Sequence, residues 1–221
     1  MHDKTEKTGS FFNPQYINHL HKRSNIMKKT LLTLAVLALS MATVTAQTAW
    51  KIDKVHSNVD FTVTHLVISE VRGAFKEFDA TLSSEKSDFT DMKVEATVKT
   101  ASIFTDNEKR DGHLKSNDFL NAEKFPDINF KSTAVKKTGS DTYQITGDLT
   151  IRDVTKPVVL ETKYKGSVKD PWGNTRVAFK ATTTIDRFVF GTTWDAKIET
   201  GGLVVGKEVD ITLLLEFVQQ K

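Results

Sequence analysis

"VHSNVDFTVTHLV", residues 55–67, decides the fold. Its odd positions are Val55, Ser57, Val59, Phe61, Val63 and His65; its even positions include His56, Asn58, Asp60, Thr62 and Thr64. Successive side chains of a strand point to opposite faces, so a mostly apolar face against a polar one predicts a half-buried strand. The same period recurs down the chain. "MKVEATV" aligns Met92, Val94, Ala96 and Val98, and "YQITGDLTI" aligns Tyr143, Ile145, Gly147, Leu149 and Ile151. "VAFKATTTI" aligns Val177, Phe179, Ala181 and Ile185, and "VDITLLLEF" aligns Val209, Ile211, Leu213, Leu215 and Phe217. Eight strands are predicted, at about 54–68, 71–83, 91–101, 127–136, 141–152, 157–168, 174–187 and 207–219. Turn residues separate them at Thr138–Asp141, Asp153–Pro157 and Lys169–Asn174. Short links between long strands with one apolar face predict an all-β, eight-stranded antiparallel up-and-down barrel of lipocalin type. The interior of a barrel of that strand number can hold one small ligand.

Two stretches break the alternation. Residues 187–206 form a glycine-containing connection, and residues 102–126 form an insert between strands 3 and 4. Thr105 followed by Glu108 has the spacing of a capping box, so the insert is expected to hold a short helix. Long structured loops on a barrel tend to serve the site, which places this insert at a mouth.

The first 46 residues stand apart. "MKKTLLTLAVLALSMATVTA", residues 27–46, has a basic start, an apolar run too short for a membrane span, and small residues before Gln47. It reads as a signal peptide cleaved after Ala46. Residues 1–26 are polar and aperiodic and read as a prefix upstream of a start at Met27. The fold then belongs to residues 47–221, one domain of ordinary size. The six basic and two acidic residues of 1–46 leave 25 and 26 in those 175 residues, a net charge of −1. The whole-chain charge of +3 is therefore no argument for a nucleic-acid partner. The chain has no cysteine, which excludes disulfides, thiolate metal sites and a lipid anchor on an N-terminal cysteine. A periplasmic or secreted protein without stable membrane insertion is expected.

"RDGHLKSNDFL", residues 110–120, concentrates chemically capable side chains: Arg110, Asp111, His113, Lys115 and Asp118. Catalysis is a weak reading of it. A Gly-x-Ser-x-Gly elbow is absent, and Asp111 and His113 are two apart, which on a helix separates them. An acid–base enzyme using His113 and Asp111 stands as an alternative. Metal binding is equally weak, because His56 and His65 lie nine apart on one predicted strand and face opposite ways. No phosphate loop with a Lys-Ser/Thr pair precedes a helix. The expectation is therefore no catalytic residue, no metal and no cofactor. The cluster reads either as a headgroup patch or as a solvated face with ion pairs Asp106–Arg110 and Asp111–Lys115. Six phenylalanines lie near the insert and the long connection: Phe104, Phe119, Phe125, Phe130, Phe188 and Phe190. They suit a core or a lined pocket.

Five segments together resemble the YceI-like family of exported, lipocalin-like bacterial proteins. These are "HSNVDFTVTHLVISEVRGAFKEF" (56–78), "RDGHLKSNDFLNAEKFPDINFKS" (110–132), "GDLTIRDVTKPVVL" (147–160), "DRFVFG" (186–191) and "VGKEVDITLLLEF" (205–217). The order matches over nearly all of residues 47–221. Departures are Asp79-Ala80 and Asp153, where the family commonly has glycine. The resemblance implies a barrel holding a polyisoprenoid or similar amphiphile, of isoprenoid quinone or prenyl phosphate type, as carrier, store or scavenger. The lumen residues expected from the apolar faces are Val59, Phe61, Val63, His65, Phe75, Phe78, Phe104, Phe130, Leu149, Ile151, Phe179 and Ile185. Arg110, Asp111, His113 and Lys115 are then expected at the entrance, beside a polar head. A third reading is a filled-core barrel that acts through its surface in a stress response. The sequence leaves a homodimer open.

Overall fold

In the computed structural model, which describes residues 47–221, the alternating segments close into a barrel of eight antiparallel strands. The readings of residues 1–26 and 27–46 lie outside the described residues. The first three long strands are each broken once. β1 (Thr48–Ile52) and β2 (Asn58–His65) form the first, and β3 (Ser69–Phe75) and β4 (Phe78–Ser84) the second. β5 (Lys93–Lys99) and β6 (Ile103–Phe104) form the third. β7 (Asp127–Lys137), β8 (Thr142–Ile151), β9 (Val154–Lys169), β10 (Thr175–Asp186) and β11 (Val205–Gln219) are unbroken. β11 closes the barrel: one edge pairs with β10, the other with β1 (Ile52 opposite Phe217) and β2 (Val59 opposite Leu213).

Each break reverses which parity faces inward. Trp50 and Ile52 are buried in β1, whereas Val59, Phe61 and Val63 face the interior in β2. The inward residue changes from Phe75 to Phe78 across Lys76-Glu77, and from Val98 to Ile103 across a 3₁₀ turn at Thr100–Ser102. An even number of residues between two inward positions requires an irregular backbone, as at a bulge. The predicted single strand 54–68 is corrected accordingly. It begins earlier, at Thr48, and residues 53–57 form a turn that leaves Val55 exposed.

The two halves of the barrel differ. One half is filled by a cluster that includes Trp50, Leu82, Phe89, Tyr143, Phe179 and Phe217. The other half is lined by Ile128, Leu149, Ile151, Ile185 and Phe190 and is hollow. The insert and the connection 187–204 both lie at the hollow end, where β2, β8 and β10 finish and β7, β9 and β11 begin. The insert does contain a helix, α1 (Glu108–Lys115). Its cap is Asn107, whose Oδ1 accepts from Arg110 N at 3.0 Å, and not Thr105. Thr105 is instead buried against Asp111.

Outside the barrel, Arg176 gathers three carboxylates from distant segments. Its Nε reaches Asp170 at 2.8 Å, and its Nη1 reaches Asp53 at 2.6 Å and Glu216 at 2.7 Å. His56 and Arg176 hold the Asp53 carboxyl well below the usual carboxylate range against the opposing effect of burial. Arg176 likewise brings Asp170 down to about 2. Both groups have folded-state pKa values below their unfolded ones, so their stabilisation is present above about pH 4 and disappears as pH falls through about 2. Thermal melts should therefore show a midpoint that declines progressively between about pH 4 and pH 2. Arg176→Met should lower the midpoint at pH 7 and flatten that acid decline. An unchanged acid slope in the variant would contradict this linkage.

Candidate functional site

The hollow half holds a cavity of about 230 Å³ with almost entirely apolar walls. Alternation supplies those walls. Inward residues of β2, β5, β8, β9, β10 and β11 contribute, among them Val63, Val94, Leu149, Val158, Ile185 and Ile211. Two glycines make room for aromatic rings along the wall. A Cβ at Gly73 would lie 2.3 Å from the Phe61 ring, and one at Gly147 would lie 2.4 Å from the Phe130 ring. Each ring lies over a neighbouring strand, where any larger residue would push it toward the lumen.

Nine of the twelve expected lumen residues line this cavity: Val59, Phe61, Val63, Phe75, Phe78, Phe130, Leu149, Ile151 and Ile185. Three do not. His65 shares the face of Phe61 and Val63 but sits at the end of β2, paired with Ser69 and Val205, beyond the cavity wall. Phe104 is 43% exposed, with Lys76 Nζ 5.1 Å from its ring centre, because the 3₁₀ turn before it sends Ile103 inward instead. Phe179 points inward but belongs to the filled half, edge-on to Phe89 at 5.4 Å.

The entrance residues are also placed differently. None of Arg110, Asp111, His113 and Lys115 lines the cavity; from their helix it is Leu114 that does. Asp111 is buried and accepts from Thr105 N at 2.9 Å and from the Thr105 hydroxyl. Arg110 donates to Thr105 Oγ1 and to its carbonyl, both at 2.7 Å. These contacts replace the expected Asp106–Arg110 and Asp111–Lys115 pairs. His113 Nε2 lies 2.9 Å from Asp118 Oδ2, and its ring stands edge-on to Phe119 and Trp194. The Asp111–His113 pair on which acid–base chemistry would rest is therefore not assembled. The cluster organises the insert and fastens it to the connection 187–204.

That fastening closes the hollow end. Thr193 N and Trp194 N both donate to Asp118 O, at 3.1 and 3.2 Å. Arg152 donates to the carbonyls of Asn117, Phe119 and Gly191, so one guanidinium joins insert and connection. Arg152 itself has a left-handed φ of 59° in the β8–β9 turn. Beneath this closure Leu120, Phe119, Phe190, Arg187 and Thr192 complete the cavity wall. Of these, Phe119 and Phe190 belong to the phenylalanine grouping around both irregular stretches, whereas no sequence signal marks Leu120, Arg187 or Thr192.

Asp53, His56 and Glu216 bring potential ligand atoms within 4.8 Å of one another, a spacing that suits a cation. Arg176 already donates to both carboxylates there and occupies the group with its guanidinium. Among the described residues no helix is long and apolar enough to cross a bilayer.

The architecture matches known proteins. A UPF0312 protein of Pseudomonas syringae pv. tomato is 39% identical over 195 residues, covering 86% of this chain and 98% of its own. A UPF0312 protein of Pseudomonas fluorescens is 43% identical over 178 residues, covering 77% and 90%. Among solved structures, the Campylobacter jejuni YceI protein superposes with a TM-score of 0.61 at 28% identity, covering 72% of this chain and 90% of that one. A polyisoprenoid-binding domain from Saccharophagus degradans shares the fold at 10% identity, with a TM-score of 0.58 and coverage of 77% and 98%. The family model for the YceI-like domain matches residues 50–217, from the first strand to the last. With the family model and the relatives agreeing, the chain belongs to the YceI-like family.

Proposed function

We propose that the protein is an exported carrier, store or scavenger of a polyisoprenoid or similar amphiphilic lipid, held chain-first in the hollow half of the barrel. The observation that carries this reading is the apolar cavity above a filled floor. Each methylene buried in such a space contributes about 0.8 kcal/mol, so a few isoprene units suffice for firm binding. The polyisoprenoid-binding relative supports the ligand class, and the signal-peptide pattern of residues 27–46 supports export to the periplasm or beyond.

A second feature supports traffic with a lipid surface. The β2–β3 turn at the hollow end is His65-Leu66-Val67-Ile68, with Ile68 N donating to His65 O. Leu66 and Val67 have φ of 51° and 67°. Such turns ordinarily take Asn-Gly, because bulky and β-branched residues resist positive φ. Here all three residues after His65 are apolar and exposed, which favours contact with something apolar.

Native mass spectrometry on exported protein, purified without detergent and then extracted with organic solvent, tests the reading. A discrete added mass released as an isoprenoid or related amphiphile is the expected result. An apo mass that persists after exposure to quinones and prenyl phosphates would overturn it and favour a surface function.

A further inference from the structure

The lining of the apolar cavity includes one cationic side chain, which an alkyl chain alone does not require. Arg187 follows the last residue of β10, at the start of a 3₁₀ turn (Arg187–Phe190) whose first amides are capped by Asp186. The turn carries Arg187 into the closed end, where it is only 6% exposed and lines the cavity with Thr192. Its guanidinium stacks on Phe188 at 4.1 Å and faces Phe119 at 5.5 Å.

Every acceptor it reaches is neutral. Nε donates to Gly206 O at 2.9 Å, Nη2 to Val205 O at 3.1 Å and Nη1 to Thr192 Oγ1 at 3.2 Å. Among the described residues no carboxylate comes within ion-pair distance; Asp186 and Asp195 act on it only from farther away. Burial lowers its pKa, but an arginine in a protein keeps its proton. A buried charge without a counter-charge is costly. Three of the five guanidinium N–H groups are used, leaving one on each terminal nitrogen. A guanidinium with a free donor on each terminal nitrogen can give hydrogen bonds to two oxygens of one acid group.

We propose that Arg187, with Thr192 beside it, anchors an acidic head group, so that the ligand is an amphiphile ending in a carboxylate or a phosphate. This inference rests on the cavity being the lipid site. The headgroup cation is then a residue deep in the closed end, and the ligand's charge neutralises it on binding.

The test compares acids with neutral partners of the same chain: farnesyl phosphate against farnesol, and palmitoleate against palmitoleyl alcohol. Each displaces a neutral fluorescent apolar probe from delipidated protein. At least one acid should bind about ten- to hundredfold more tightly than its alcohol, the range that charged hydrogen bonds give. The pair that discriminates identifies the head as phosphate or carboxylate. Arg187→Met should bring the acid-to-alcohol ratio close to one, and Arg187→Lys should keep part of it. Equal binding of acid and alcohol in both wild-type pairs would overturn the anchor while leaving the cavity reading intact. A preference that survives Arg187→Met would also overturn it. If none of the four compounds displaces the probe, the lipid-site reading itself fails. The wild-type ratios decide the matter even if Arg187→Met does not fold.

Discussion

Phe89→Ala should destabilise the protein by about 3–5 kcal/mol, although Phe89 lies in a loop. The loop between β4 and β5 turns it under the barrel, where it is 5% exposed. There it meets Trp50 at 5.9 Å, Tyr164 at 5.6 Å and Phe179 at 5.4 Å. Asp91 holds that loop in shape by accepting from the Ser84 hydroxyl and from the amides of Glu85 and Lys86. The Tyr143 hydroxyl donates to Asp88 O at 2.7 Å, so the loop is tied to the floor on both sides of the ring. Truncating the ring removes the central piece of an aromatic floor whose neighbours are fixed on paired strands and cannot collapse inward. A fall in the melting midpoint of roughly 10 °C or more is expected for a domain of this size. A change of a degree or two would mean that the loop does not seal the barrel.

Val98→Phe should do the reverse, leaving stability nearly unchanged and weakening lipid binding about a hundredfold. Val98 lines the cavity, opposite Phe78 on one side and Ile128 on the other. Larger residues ordinarily strain a packed core. Here the added carbon atoms enter space that is already open. They displace about four methylenes of ligand, worth about 3 kcal/mol or about a hundredfold in affinity. Measuring loading and melting on the same sample separates the two effects. Full loading with unchanged stability would place the ligand elsewhere.

The two variants also mark what the sequence could express. Alternation showed the strands, because a barrel wall is wet on one face and dry on the other. It placed nine lumen residues for the same reason. It could not show where along an inward face the barrel is filled and where it is hollow. Phe179 and Phe61 have the same period and the same chemistry, yet one closes the floor and the other borders the cavity. Phe104 was misread because a single 3₁₀ turn exchanges inside for outside, and such a turn leaves no compositional mark. The polar cluster at 110–118 drew attention by its charge density. Its side chains are used to build and fasten the closure, while Arg187, unremarkable in "DRFVFG", is the cation that lines the cavity.

The closure bears on time as well as on affinity. Paired strands wall the cavity on every side except between β6 and β7, where the insert lies. The floor is packed, and the remaining end is held by Arg152, by His113 with Asp118, and by the amides of Thr193 and Trp194. Where exit runs through that end, a molecule inside leaves no faster than those hydrogen bonds open. The opening rate therefore sets a common ceiling on exchange for short-chain and long-chain ligands alike. A surface or acceptor that loosened the closure by contact would speed release without competing for the ligand.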